Sequence, residues 1–351
     1  MNYPFIIYGA NGYTAELIAE LAVKQGIKPL LSGRSADKVA AVAKRFGLDY
    51  EACSLDDTAA LTALLKKSGI FMNCAGPFMH TAEKAAKACI ANKVHYLDIT
   101  GEYVVFEKVK TFDAEAKAAG IMLLSGTGFD VVPSDCLAMH LKNRLPGATH
   151  LTLAFAALKG GMSRGTTKTT IEGMGYGGMI RKDGKLTRVP MSYKFEELNF
   201  GPYKSWAAVI PWGDISTAYT STGIPNIEVF TALKQKQLSA LKWGDRLAAI
   251  LRIRAVKNYM LKQVDKRKPG PDENRRNTSF CNFIGIATDA NGNRVESHQT
   301  TPEGYKLTSI TSFGIIQEIL AGNFKPGYQT PATVYGADFI LKFEGVTRTD
   351  L

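Results

Sequence analysis

Short apolar runs alternate with stretches whose apolar positions recur every three or four residues across the first 130 positions of this 351-residue chain. The runs predict strands near residues 5–10, 28–34, 49–55, 69–75, 94–99 and 121–125, and the periodic stretches predict helices near 14–25, 36–46, 57–67, 81–92 and 103–119. Strands that are almost wholly apolar and separated by helices belong to a parallel sheet covered on both faces. A helix near 134–145 follows, and from a strand at Thr149–Leu158 onward the pattern turns to alternating strands and Gly-rich loops, an α+β arrangement. Another helix is expected from about Ser163 through Met179. Helices near 305–321 and 331–343, the second opened by Thr330-Pro-Ala332, are expected to pack back on the first region. The fold class is therefore α/β, with a parallel-sheet domain over 1–133, an α+β domain over 134–304 and C-terminal helices over about 305–351.

The first strand runs into Gly9-Ala-Asn-Gly-Tyr-Thr14, and a helix begins at once. Strand, Gly-rich turn and helix in that order form the pyrophosphate site of a Rossmann-type domain. Gly9 permits the turn, Gly12 lets the backbone approach the phosphates, and small Ala15 lets the helix pack close. Gly9, Ala10, Asn11, Gly12, Tyr13 and Thr14 are thus candidate cofactor-binding residues. In NAD-preferring domains an acid ends the second strand and bonds the adenine ribose. Here that strand ends Ser32-Gly-Arg-Ser35, with no acid. Arg34 and Ser35 either meet a 2′-phosphate, a charge-assisted contact of about 1.5–3 kcal/mol that favours NADPH, or serve as a solvated charge and a helix cap.

The remaining strand ends supply further polar turns. Asn73-Cys-Ala-Gly-Pro77 follows the fourth strand and is a candidate cofactor loop. Asp98-Ile-Thr-Gly-Glu102 follows the fifth, and Gly126-Thr-Gly-Phe-Asp130 the sixth. Hydride reduction generally needs a proton donor. His80, Asp98, Tyr103 and Asp130 are the candidates, each with an alternative as a cap or hydrogen-bond anchor. His95 reads as a strand residue and His140 as a helix residue. No Tyr-x-x-x-Lys pair occurs, so the short-chain dehydrogenase mechanism is not borrowed. In the second domain Ser163, Arg164 and Thr166 open a helix, where they either cap it or dock an anionic or carbonyl substrate.

A hydrophobic fraction of 45% and no apolar run long enough to span a bilayer fit a globular protein. The absence of a basic, then apolar, leader predicts a cytoplasmic location. Five cysteines (53, 74, 89, 136 and 281) without CxxC spacing predict buried thiols and no metal site. The net charge of +11 is concentrated. Lys242 to Arg276 holds eleven Lys and Arg against four acids. Within it Leu247, Ile250, Ile253, Val256, Met260 and Val264 form an apolar stripe, with Arg252, Lys257, Lys262 and Lys266 on the outer face. Such a helix over 247–266 either gives its stripe to the domain core or lies on an anionic membrane. No nucleic-acid-binding motif is present, and a homodimer is the expected assembly.

The segments 9–14, 32–35, 73–78, His95-Tyr-Leu-Asp-Ile-Thr-Gly-Glu102 and Gly128-Phe-Asp-Val-Val-Pro-Ser-Asp135 resemble those of the saccharopine dehydrogenase-like oxidoreductases. Ser163-Arg-Gly-Thr166, Pro211-Trp-Gly-Asp214, Ser221-Thr-Gly-Ile-Pro-Asn226 and Thr330-Pro-Ala332 look like the bacterial branch that includes the trans-acting enoyl reductases. The resemblance implies an NAD(P)-binding Rossmann domain, a second domain for substrate binding and dimerisation, and hydride transfer from NADPH to a C=C, C=N or C=O bond. It does not imply saccharopine as substrate, because substrate choice lies in the second domain. The rival expectation is a non-catalytic NADPH-sensing or peripheral-membrane binding protein.

Overall fold

The computed structural model describes residues 2–158 and 161–351, and the chain divides into two units. The first comprises residues 1–132 and 305–334, the second 133–304 and 335–351. In the first, β1 (Ile6–Tyr8), α1 (Tyr13–Lys24), β2 (Leu30–Gly33), α2 (Ala36–Phe46), β3 (Tyr50–Ala52), α3 (Thr58–Leu65), β4 (Ile70–Asn73), α4 (Ala82–Asn92), β5 (His95–Asp98), α5 (Tyr103–Lys110), α6 (Asp113–Ala119) and β6 (Met122–Leu124) alternate. The strands are parallel in the order 3-2-1-4-5-6, and strand Gly327–Gln329 adds a seventh beside β6. That is the doubly wound order of a dinucleotide-binding domain. β1, β2 and β4 are buried at every position, as their apolar runs require.

Three expectations change here. The helix expected over 103–119 is two helices, because Phe112, 8 % exposed, turns into the core between them. The helix expected over 331–343 is a short helix, Pro331–Tyr335, and a 3-10 turn, Phe339–Lys342, with left-handed Gly336 between them. Beyond it the chain joins the second unit, where strand Thr347–Asp350 pairs with Ser297–Thr300.

The second unit opens with α7 (Val132–Arg144) and β7 (Ala148–Leu158). There follow α8 (Arg164–Gly173), β8 (Gly178–Lys182), β9 (Lys185–Val189), β10 (Phe195–Asn199), β11 (Lys204–Val209), α9 (Asp214–Thr222), β12 (Asn226–Ala232), α10 (Gln235–Arg246), α11 (Ala248–Leu251), α12 (Arg254–Val264), α13 (Glu273–Thr278), β13 (Phe280–Asp289) and β14 (Arg294–Pro302). They form a nine-stranded mixed sheet whose main path runs β10-β11-β12-β7-β13-β14 and then the C-terminal strand. α7 covers it so closely that a Cβ on Gly285 in β13 would stand 2.5 Å from Leu141 Cδ1. α8 ends at Gly173 rather than continuing through Met179, because Gly175 and Gly177 take left-handed φ of +85° and +82° and Met179 lies in β8.

The expected amphipathic helix over 247–266 is the largest departure. Two helices, α11 and α12, replace it, and its faces are inverted. Leu247, Ile250 and Ile253 are 46 %, 51 % and 50 % exposed, whereas Lys257 is 3 % exposed and donates to the Glu172 carbonyl. Arg252 Nε donates to the Gly175 carbonyl at 2.6 Å and Arg254 reaches both Glu172 carboxylate oxygens at 3.1 Å. Several cations thus hold the segment to α8 and its turn, and only Val264 of the stripe is fully buried.

Candidate functional site

At the carboxyl end of β1 the chain turns at Gly9 with φ +78°, a conformation open to glycine. A Cβ there would stand 2.8 Å from the Ala75 nitrogen, so the turn after β1 and the loop after β4 touch where no side chain fits. The Gly12 amide donates to the Gly9 carbonyl at 2.8 Å and the Ala10 amide to the Ser32 carbonyl at 3.0 Å, which fixes the turn beside β2. Gly12 is the N-cap of α1, and no side chain caps that helix. Its first-turn N–H groups, with the positive end of the helix dipole, form a cradle suited to a pyrophosphate. Asn11 is exposed at the tip of the turn. Tyr13 and Thr14 begin the helix, the Tyr13 ring standing edge-on to Tyr305 at 5.1 Å.

Arg34 and Ser35 follow β2. Ser35 occupies the N-cap position of α2, but its hydroxyl makes no capping bond. Arg34 is exposed and makes no hydrogen bond or ion pair among the described residues. A cation and a hydroxyl therefore stand side by side, neither turned to a structural purpose, where an adenine ribose 2′-phosphate would lie. With the Gly9 cradle they fit NADP(H).

The loop after β4 is tied down from inside. Asn73, 0 % exposed, accepts from the Ala75 amide at 3.0 Å and donates to Thr81 and Tyr96, so it shapes the loop and does not face a ligand. The Cys74 amide donates to the Tyr8 carbonyl at 2.8 Å, and burial pushes the Cys74 thiol up. Thr81 Oγ1 donates to the Ala75 carbonyl at 2.7 Å. Gly76 and Pro77 carry the chain to the 3-10 turn Phe78–His80, whose Phe78 and Met79 amides donate to the Glu102 carboxylate at 2.8 and 3.2 Å. His80 is exposed at the end of that turn.

The proton-donor candidates separate clearly. Asp98, 0 % exposed, accepts from Tyr96 Oη at 2.8 Å, Ser125 Oγ and the Gly126 amide at 2.9 Å, and the Thr100 amide at 3.0 Å. Both its oxygens are occupied, so it anchors the loops after β5 and β6, and burial raises its pKa while the four hydrogen bonds oppose the rise. Tyr103 is half-buried at the first position of α5. Asp130 differs. Its Oδ1 is enclosed and has no hydrogen-bond partner, and burial raises its pKa to about 7. A Cβ on Gly101 would stand 2.6 Å from Asp130 Oδ2, so the missing side chain of Gly101 makes room for this carboxyl. The loop that carries it is fixed by the helix Gly304–Leu320. The Phe129 amide donates to Thr308 Oγ1 at 2.9 Å, Thr311 Oγ1 donates to the Thr127 carbonyl at 2.8 Å, and Thr127 and Ser312 hydroxyls meet at 2.8 Å. Glu102, Thr308, Thr311 and Ser312 were not candidates by sequence. Glu102 stood at a helix start, a legible signal for a cap, whereas the three hydroxyls lie far along the chain and carry no local signal.

In the second unit the capping alternative prevails for the α8 residues. Ser163, 5 % exposed, accepts from the Thr166 amide at 3.1 Å, and the Arg164 guanidinium donates to the Asp265 carbonyl at 3.4 Å. Ser163 thus caps α8 through Thr166, and Arg164 ties the start of α8 to the residue after α12. His95 accepts from the Met122 amide at 3.0 Å, and burial lowers its pKa, which keeps it neutral; His140 meets Asp350 at 2.7 Å. Among the described residues no cluster of His, Cys, Asp and Glu could hold a metal ion, and no helix is long and apolar enough to cross a membrane.

Residues 5–124 match the family model described as the saccharopine dehydrogenase NADP binding domain. The chain is 26% identical over 205 residues to the saccharopine dehydrogenase-like oxidoreductase of Rattus norvegicus, covering 51% of this chain and 48% of that protein. It is 29% identical over 186 residues to a Mycobacterium tuberculosis protein named as a trans-acting enoyl reductase, covering 49% of this chain and 44% of the relative. The chain thus spans about half the length of the curated relatives it matches. Among solved structures, the apo saccharopine dehydrogenase (L-Glu forming) of Saccharomyces cerevisiae superposes with a TM-score of 0.67 at 13% identity, covering 99% of both chains, a likeness of fold.

Proposed function

Since residues 5–124 match the saccharopine dehydrogenase NADP binding domain, we propose that the chain is a saccharopine dehydrogenase-like oxidoreductase, an NADPH-dependent reductase of a C=C, C=N or C=O bond. The observation that carries this reading is the pair Arg34 and Ser35, a guanidinium without an ion pair among the described residues beside a helix-start hydroxyl that makes no capping bond. The Gly9 turn and the uncapped start of α1 would hold the pyrophosphate, and Arg34 with Ser35 the 2′-phosphate. The bound nicotinamide would supply the hydride. Asp130 would hold the proton that the reduced bond takes up, releasing it from its carboxyl to the developing anion. A carboxyl that titrates near 7 is matched to that task, being protonated in a useful fraction of molecules at neutral pH yet able to give the proton up. Asp98, through four accepted hydrogen bonds, would hold the strand-end loops that position Asp130.

The test is the affinity for NADPH and NADH in wild type and Arg34→Ala, followed by NADPH oxidation with a panel of enones, imines and ketones. NADPH is expected to bind at least about tenfold more tightly than NADH, and Arg34→Ala to abolish that difference. Failure of both nucleotides to bind, or specific NADPH binding without turnover of any substrate class, would sink the reductase reading.

A further inference from the structure

We infer that the segment from α10 to α12 docks the second unit on an anionic lipid surface, with Trp243, Leu247, Ile250 and Ile253 as the inserted ridge. These four side chains are 61 %, 46 %, 51 % and 50 % exposed. Their spacing of four, three and three residues places them along one side of a helical path, and the amides confirm its continuity: Leu247 donates to the Trp243 carbonyl, Leu251 to that of Leu247 and Ile253 to that of Ile250. A helix on a protein surface ordinarily turns such a stripe inward. Here the polar side chains do the inward holding. Asp245 accepts from the Met191 and Ser192 amides at 2.8 and 2.9 Å, and Arg252, Arg254 and Lys257 fasten the path to Gly175 and Glu172. The ridge is therefore held by polar contacts and stays about half exposed among the described residues.

Charge selects the occupant. Arg246 lies over the Trp243 ring at 4.9 Å, and Lys262 in α12 and Lys266, Arg267 and Lys268 just after it are exposed. None of these five has an ion pair among the described residues. Three of the four acids of the stretch are engaged elsewhere: Asp245 holds the 191–192 loop, Asp265 pairs with Lys168 at 2.6 Å, and Asp272 caps α13, which leaves Glu273 in the first turn of α13. An apolar ridge that begins at Trp, carries Arg246 on that ring and is followed along the chain by cations without ion pairs matches the boundary between headgroups and acyl chains of an anionic bilayer. A second copy of this chain matches it poorly, because a two-fold contact would set each copy's cations against the other's.

The experiment is co-sedimentation of the full chain with phosphatidylcholine vesicles, with and without phosphatidylglycerol, at low and high salt. Binding is expected to be at least about tenfold tighter when the anionic lipid is present, and to weaken as salt screens the cations. Ile250→Asp with Ile253→Asp is expected to weaken that binding by about tenfold or more with an unchanged melting temperature, since both side chains are exposed. Lys266→Glu with Arg267→Glu is expected to reduce the salt dependence while leaving the fold intact. A blue shift of tryptophan fluorescence on adding anionic vesicles, lost in Trp243→Phe, would place the ridge in the membrane. Equal binding to both vesicle types, or binding indifferent to the Ile250 and Ile253 changes, would overturn the inference. So would a dimer that the Ile250 and Ile253 changes dissociate while vesicles bind neither protein, since the ridge would then be a contact between copies.

Discussion

Asp130 keeps its proton to near neutrality because Oδ1 is enclosed without a donor, and that single fact governs both its chemistry and its effect on stability. A donor must be protonated to act, so reduction is expected to fall as pH rises through about 7, a profile read from kcat at saturating NADPH. Asp130→Asn is expected to lower kcat by about a hundredfold or more while leaving NADPH affinity nearly unchanged. The stability effect has the opposite use for the same proton. Folding favours the protonated form, whose unfolded pKa lies near 4. This carboxyl's contribution is therefore whole below about pH 4, declines as pH rises, and is lowest above about 7. Asp130→Asn is accordingly expected to gain stability relative to wild type between pH 4 and 8, by a few kcal/mol at most. Parallel melting curves of the two proteins at both pH values would contradict this. Gly9 is the second residue on which the site turns. Gly9→Ala meets both a φ of +78° and the Ala75 backbone at 2.8 Å, and neither can yield cheaply. We expect a loss of about 1–3 kcal/mol in stability and of NADPH affinity together, measured by thermal melting and by titration of cofactor fluorescence.

Between the strands and the site stand the loops after β4, β5 and β6, and these are joined by buried polar side chains more than by apolar contacts. Asp98→Ala would leave two amides and two hydroxyls around the vacated carboxylate without their acceptor. Its expected cost is about 2–4 kcal/mol, with NADPH binding weakened although Asp98 is itself fully buried. Retention of wild-type melting would show that water replaces the carboxylate. This level also marks how far the sequence could be read. Strand, Gly9 turn and α1 were legible because periodicity and glycine spacing are local signals, and so were the five later strands of the parallel sheet. Strand Gly327–Gln329 was not, because three residues at a sheet edge leave no pattern. The helix stop at Gly173 was a missed reading of turn chemistry, since Gly173, Gly175, Gly177 and Gly178 stood in plain view. At 247–266 the period was right and the inside was wrong: a stripe repeating every three or four residues says which residues share a face, not which face the protein covers. At the site, the turn and Arg34 followed from position along the chain. Asp98 and Asp130 looked alike as acids after strands, and the partners that distinguish them come from elements far apart in sequence.

At the scale of the whole chain, the first unit is discontinuous, and its stability should reveal this. Residues 1–132 carry six strands and the nucleotide turn, but the helix Gly304–Leu320 and the seventh strand reach the unit only after the second unit has been threaded. That helix buries Leu307, Phe313, Ile315, Ile316 and Ile319, and Phe313 lies 6.5 Å from Phe5 at the start of β1. At about 1.5–3 kcal/mol for each large side chain removed from water, these five contribute on the order of 10 kcal/mol. A typical domain has about 5–15 kcal/mol in all. Its hydroxyls also hold the Thr127–Phe129 turn beside Asp130, and the strand Gly327–Gln329 covers the edge of β6. Residues 1–132 expressed alone are therefore expected to lack a cooperative thermal transition and to bind no NADPH. Joining them to residues 305–334 through a short flexible linker is expected to restore both. The first outcome without the second would mean that the unit depends on the rest of the chain for folding. Cooperative melting and NADPH binding by residues 1–132 alone would mean that the late helix and strand decorate a domain already complete, and that the hydroxyl ties to the Asp130 loop form after the nucleotide site, not with it.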